Sequence, residues 1–216
     1  MQQIAFLRWT GAALLLGGAF TIIVNVALTP LLPADAPFAQ IAATSAFLWR
    51  QSASALAAAM LLLGCVGLYL RQSDRIGLPG ALAFTITFFG TALLLAWEWT
   101  DIFVLRDLAL RAPAALHTLE APTTLTPYDL GALIPVSVFA VGWLAFAVVT
   151  LRAAVLPRAA SALVIAGLFL TPMLSAALGR DWGGAIGSAV LGAGWMWLGV
   201  TMQNAVINSS WNSLPE

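Results

Sequence analysis

The chain has 216 residues, of which 61% are hydrophobic and only 8% charged. Soluble domains carry about a quarter charged residues, so a surface this poor in charge is expected to face lipid rather than water. The formal net charge is zero and all nine basic residues are arginine, with no basic tail and no run of like charge, so nothing speaks for nucleic acid as a partner.

Crossing about 30 Å of hydrocarbon takes about 20 apolar residues in a helix. Six stretches meet that length, and they predict an all-α polytopic membrane protein: one domain, a bundle of six transmembrane helices. The first spans residues 9–29 and is ended by Pro30 and Pro33. Arg8 before it and Ala34-Asp35-Ala36 after it imitate a signal peptide. The apolar run outlasts an h-region of about 7–15 residues, so it is read as an uncleaved first helix. The second span, 52–70, lies between Arg50 and Arg71, and Arg71-Gln-Ser-Asp-Arg75 reads as a tight polar turn into the third, 78–99. The connection 100–129 follows. Its segment Ile102–Arg111 has no proline, and it is expected either to prolong helix three or to lie on the membrane surface. A fourth span covers 130–151, opened by a capping sequence of Thr126, Pro127 and Asp129. The fifth, 159–178, follows a turn holding Arg152, Pro157 and Arg158, and the sixth, 183–206, follows Gly179-Arg-Asp-Trp182. No segment alternates apolar and polar residues, which excludes a β-barrel.

With an even number of spans and the N-terminus inside, Arg8, Arg71, Arg75, Arg152 and Arg158 are cytoplasmic, against Arg50, Arg106, Arg111 and Arg180 outside. That bias predicts both termini in the cytoplasm, and the abundance of Ala, Leu, Gly and Arg points to a bacterial chain, so the expected location is a bacterial inner membrane. Trp49, Trp97, Trp99 and Trp182 then form an aromatic belt at the outer boundary. Gly184, Ser188 and Gly192 recur at four-residue steps on the sixth helix. Small residues let helices approach closely in lipid, so this face is expected to pack within the bundle or to pair with a second copy.

Chemistry concentrates in Trp97-Glu-Trp-Thr-Asp101. Glu98 and Asp101 share one helix face, and ionisable groups in a span are functional candidates because their burial is expensive. Their position at the end of the third span allows two readings: an acid pair at the membrane interface, or an outward-facing pocket. The candidate ligand-binding neighbours of such a pocket are Trp97, Trp99, Arg50, Arg106, Arg180, Asp181 and Asn25. Asp107 and Arg111 are spaced for an ion pair. Cys65 is the single cysteine, so no intrachain disulfide is possible, and His117 is the single histidine, with Glu120 one turn later. That set is too small for a metal site or a bis-histidine haem, and no cofactor is expected. Gly-x-Ser-x-Gly and a phosphate loop with lysine are both absent.

The run Phe47-Leu-Trp-Arg-Gln51 leading into Ala55–Arg71, followed by Trp97–Arg111, resembles small uncharacterised bacterial multi-pass membrane proteins. That resemblance implies no catalytic residues. The expected role is binding, assembly or regulation in the bilayer, with a lipid, a small apolar ligand or a protein as partner. One rival reading is a lipid or isoprenoid enzyme of cyclase type using Glu98 or Asp101 as general acid. The other is a small transporter or channel subunit for an uncharged substrate.

Overall fold

In lipid every backbone N–H and C=O must be satisfied within the protein, and a helix does this segment by segment. The computed structural model describes residues 2–33, 35–117 and 127–211, and among these helix is the only regular structure. The elements are α1 (Gln2–Ile22), α2 (Phe38–Ala43), α3 (Ser45–Thr100), α4 (Arg106–Arg111), α5 (Pro113–His117), α6 (Pro127–Ala153), α7 (Arg158–Leu178) and α8 (Arg180–Trp211). A π-helical turn, Ile23–Leu28, prolongs α1, and another, Asp101–Leu105, joins α3 to α4.

Five helices are long and apolar enough to cross a membrane: Ala5–Leu31, Ser45–Arg111, Asp129–Ala153, Arg158–Leu178 and Trp182–Asn204. The second and third predicted spans both fall in the longest of these. It is not straight. Gly77 interrupts it with φ 51° and ψ −151°. Only glycine takes that conformation without a cost of about 1–3 kcal/mol. The two arms, 45–76 and 78–100, run back along each other. Gln51 meets Asp101, Ser54 meets Glu98, and the rings of Tyr69 and Phe84 stack at 4.5 Å.

The tight polar turn expected at Arg71–Arg75 is therefore corrected. Those residues are helical, and the reversal waits for Gly77. Gln72 is 1% exposed and donates to Thr150 Oγ1 of α6 at 2.9 Å, so part of the supposed turn is a buried contact between helices. The other turns lie close to their expected places, at Ala154 (φ 52°) and Gly179 (φ 86°). Helix three continues past Trp99 through the π turn to Arg111, where Asp107 and Arg111 pair at 2.8 Å on an exposed face.

The rods close into a ring. α1 packs on α8 and on the first arm of α3; the second arm packs on α6, α6 on α7, and α7 on α8. Small residues set these approaches, as lipid-embedded packing requires. A Cβ on Gly18 would stand 2.5 Å from the Gly192 carbonyl oxygen, and one on Gly90 would stand 2.6 Å from the Phe139 nitrogen. Ser188 and Gly192 are buried within the chain, with Gly184 half-buried beyond them. The face considered for a second copy is thus largely occupied by the chain's own helices.

The ring's centre is aromatic. Trp143, Trp195 and Phe146 are each at most 1% exposed, and the two indoles meet at 5.0 Å. A smaller apolar layer closes the end away from Gly77. There Ala39 and Ala42 of α2 and Phe47 of α3 pack with Leu105, Ala109 and Leu116.

Candidate functional site

The end covered by that layer holds the polar residues singled out by the sequence. Glu98 and Asp101 are only 7% and 6% exposed. Their depth follows from geometry. Asp101, Leu105 and Ala109 are all buried, and the last two lie beneath α2, so the cap covers the face on which the acids sit.

Each carboxyl group is met by one residue of the first arm. Ser54 Oγ donates to Glu98 Oε1 at 2.6 Å, and Gln51 Nε2 donates to Asp101 Oδ2 at 2.5 Å. Arg50 extends the network. Its Nε donates to Thr29 Oγ1 at 3.1 Å and its Nη1 donates to Gln51 Oε1. One chain of bonds thus ties the end of α1 to both arms of α3. The second oxygens, Glu98 Oε2 and Asp101 Oδ1, are buried with no hydrogen-bond partner among the described residues, as is Arg106 Nη1. A buried polar atom without a partner costs about 1–3 kcal/mol, which stability alone does not account for.

Both π turns occur at this end, and each carries one of the polar residues in question, Asn25 and Asp101. π turns insert an extra residue into a helix and are frequent at functional sites. The residue that follows the first ties back to it, since Thr29 Oγ1 donates to the Val24 carbonyl at 2.9 Å.

Below the network lies a cavity of about 170 Å³. Every rod of the ring contributes to its wall. Thr21, Val24 and Asn25 come from the first rod, and Ser54, Ala57, Ala58 and Leu61 from the first arm of α3. Leu94 comes from the second arm, Phe139 from α6, Thr171 from α7, and Ser188, Leu191 and Trp195 from α8. From the level of Ser54 to that of Leu61 the cavity covers about 10 Å of helix rise. Thr171 adjoins Pro172, and Phe139 is one turn beyond Pro135, so both in-helix prolines lie near its level. Ser54 belongs to both regions, lining the cavity and bonding Glu98.

The candidate residues separate into groups. Glu98, Asp101 and Arg50 converge through Gln51 and Ser54, and Asn25 lines the cavity while its Nδ2 donates to the Thr21 carbonyl. Trp99 does not join them: it is 60% exposed, with its ring beside Phe103. Trp97 packs near Gly131 of α6. Trp49, Trp99 and Trp182 are the exposed members of the expected belt. Arg106 is half-buried one π turn after Asp101. The side chains of Arg180, Asp181 and His117, together with Glu120 and Thr126, lie outside the described residues. Among the described residues no three metal-ligating side chains cluster.

Gln51, Ser54 and Thr29 were not foreseen as partners, nor were Phe139 and Trp195 as cavity walls. One signal for the first two was available. Gln51 and Ser54 repeat the three-residue spacing of Glu98 and Asp101 at similar distances on the other side of Gly77. Helix faces that meet in a hairpin can pair such residues.

No protein-family model, curated protein or solved structure matches the chain.

Proposed function

We propose that the chain is a six-span bacterial inner-membrane protein that binds a small, uncharged, largely apolar molecule in the central cavity. The observation that carries this is the cavity itself, walled by every rod and set against a buried polar network. Its walls come from all six rods, and a space of about 170 Å³ there is roomy enough for a small molecule. An engineered cavity of about 150 Å³ accepts benzene, which sets the scale of the ligand.

Each arm of α3 exceeds the roughly 20 residues that a crossing needs, and the reversal at Gly77 supports counting them as two spans. The arginine bias then assigns the Gly77 end to the cytoplasm and the capped end, with the cavity, to the outer side. Native mass spectrometry of gently extracted protein tests the binding role. Wild type is expected to carry a small-molecule adduct, and Ala58→Phe, which fills the cavity from a wall residue 2% exposed, is expected to lose it. Identical adduct patterns in the two proteins would remove the cavity as the binding site.

A second reading has its own observation. Two buried carboxyl groups, each with one oxygen lacking a partner, adjoin the cavity wall through Ser54, as a lipid or isoprenoid enzyme with a carboxyl general acid would require. It predicts that Glu98→Gln keeps the adduct but stops its chemical conversion; an adduct of unchanged mass in both proteins favours simple binding.

A further inference from the structure

Among the described residues, both ends of the cavity are covered, yet it is not fully enclosed. Toward the cap stand the bonds that join Arg50, Gln51 and Asp101, with the apolar layer of α2 beyond them. Toward Gly77 the axis is filled by Trp143 and Phe146. The opening therefore lies between rods, and the ring has six seams. Five are shut at the level of the cavity. A side chain on Gly18 would strike the Gly192 carbonyl oxygen, one on Gly17 would strike Leu61, and one on Gly90 would strike Phe139. Gly187 stands against Thr171 in the same way, and Ser54 ties the two arms of α3 through Glu98.

The sixth seam, between α6 and α7, is different. Near their short connection, Phe146 and Ala147 of α6 share one buried cluster with Ala160 and Val164 of α7. Toward the cap that cover ends. Leu133, Ile134 and Val136 are exposed on α6, and no residue of α7 beyond Gly167 is buried. The glycines of both helices meet other partners: Gly131 and Gly142 meet α3, and Gly167 meets α8. Pro135 and Pro172 fall where the cover ends, and a proline inside a helix is the usual site of a bend. Phe139 and Thr171 bring these two helices to the cavity wall.

We propose that α6 and α7 frame a side entrance from the bilayer, and that the ligand is an uncharged lipid whose hydrocarbon chain end lies in the cavity. This rests on the cavity being the binding site. The wall agrees with a chain. It has no charged side chain, and the hydroxyls of Thr21, Thr171 and Ser54 already donate to Gly17, Gly167 and Glu98.

The test uses the full chain in phosphatidylcholine vesicles with two photoreactive probes. One is a diacylglycerol carrying a diazirine either at the end or at the middle of one acyl chain. The other is trifluoromethyl-phenyl-diazirine, a free molecule built on one benzene ring. Peptide mass spectrometry reads where each inserts. Ala57 and Leu191 line the cavity and are only 5% and 7% exposed, so surrounding lipid does not mark them. The expected result is insertion at these two by the chain-end probe, and at Phe139 and Thr171 by the mid-chain probe. Ala58→Phe should abolish insertion at Ala57 and Leu191 and leave Leu63, 52% exposed, marked as before. Should that variant not fold, the comparison of the probes on wild type carries the test. If only the free molecule marks Ala57 and Leu191, the cavity binds but takes no lipid chain, and the inference fails alone. Mid-chain insertion at Gly18 and Gly192 instead would overturn the side entrance. If no probe marks Ala57 or Leu191, the inference and the cavity reading fail together.

Discussion

At the scale of single residues, the capped end is held by neutral donors on buried acids. Ser54 and Gln51 each satisfy one oxygen of a deeply buried carboxyl group. Removing such a donor leaves a buried acceptor bare, at about 1–3 kcal/mol. Ser54→Ala is therefore expected to lower unfolding stability in detergent by about 1–3 kcal/mol. In a double-mutant cycle, Glu98→Gln should be coupled to it, because the two residues share one bond. Additive losses would show that this bond contributes no stability. Trp99→Ala, on a side chain 60% exposed, should leave that stability nearly unchanged. That Glu98 and Asp101 are candidates was legible from their rarity in an apolar chain. Which way they point was not, because spacing along one helix does not say what stands opposite.

At the scale of elements, the hairpin depends on one glycine. Gly77→Ala forces a side chain into φ 51°, ψ −151°, at an expected cost of about 1–3 kcal/mol. Denaturation of the purified protein would show this as an earlier unfolding midpoint, and an unchanged midpoint would mean that the reversal has another support. The α1–α8 contact is just as exacting. Gly18→Leu would drive a side chain into the Gly192 carbonyl and should destabilise by about 1–3 kcal/mol or more, as overpacking does. Span lengths and most boundaries could be read from hydropathy, which depends on neighbouring residues alone. The turn was misplaced at Arg71–Arg75 because charged residues were read as punctuation. In fact they finish a helix, and Gln72 is drawn inside by Thr150 of α6. The π turns left no sequence trace, since they rotate a helix face without altering its composition.

At the scale of the whole molecule, the ring separates a solid half from a hollow one. Toward Gly77 the axis is filled by Phe146, Leu68 and Met202; toward the cap it opens into the cavity. A route across the bundle would have to pass Trp143 and Trp195, so the closed half favours a binding pocket over a transport path. The orientation can be tested by labelling in intact cells and inverted vesicles. With Cys65 replaced by alanine, a cysteine at Ser45 should react with an impermeant maleimide only from outside, and one at Asp74 only from inside. Labelling of both from one side would overturn the two-crossing reading of α3. Cys65 itself is 0% exposed and should stay unlabelled in the folded protein.

The amino-acid sequence by itself determined that this chain is helical and built for lipid, where its apolar lengths end, and that its acids gather toward one end. These are local properties: about twenty apolar residues are long enough to cross a bilayer whatever surrounds them. Only the tertiary structure decided that Glu98 and Asp101 are buried within the protein, that Gln51 and Ser54 are their partners, and that Trp143 and Trp195 meet at the centre of the ring. Each of these depends on how far one helix is rotated against the next. That rotation is set by where glycines allow backbones to touch and where a π turn adds a residue.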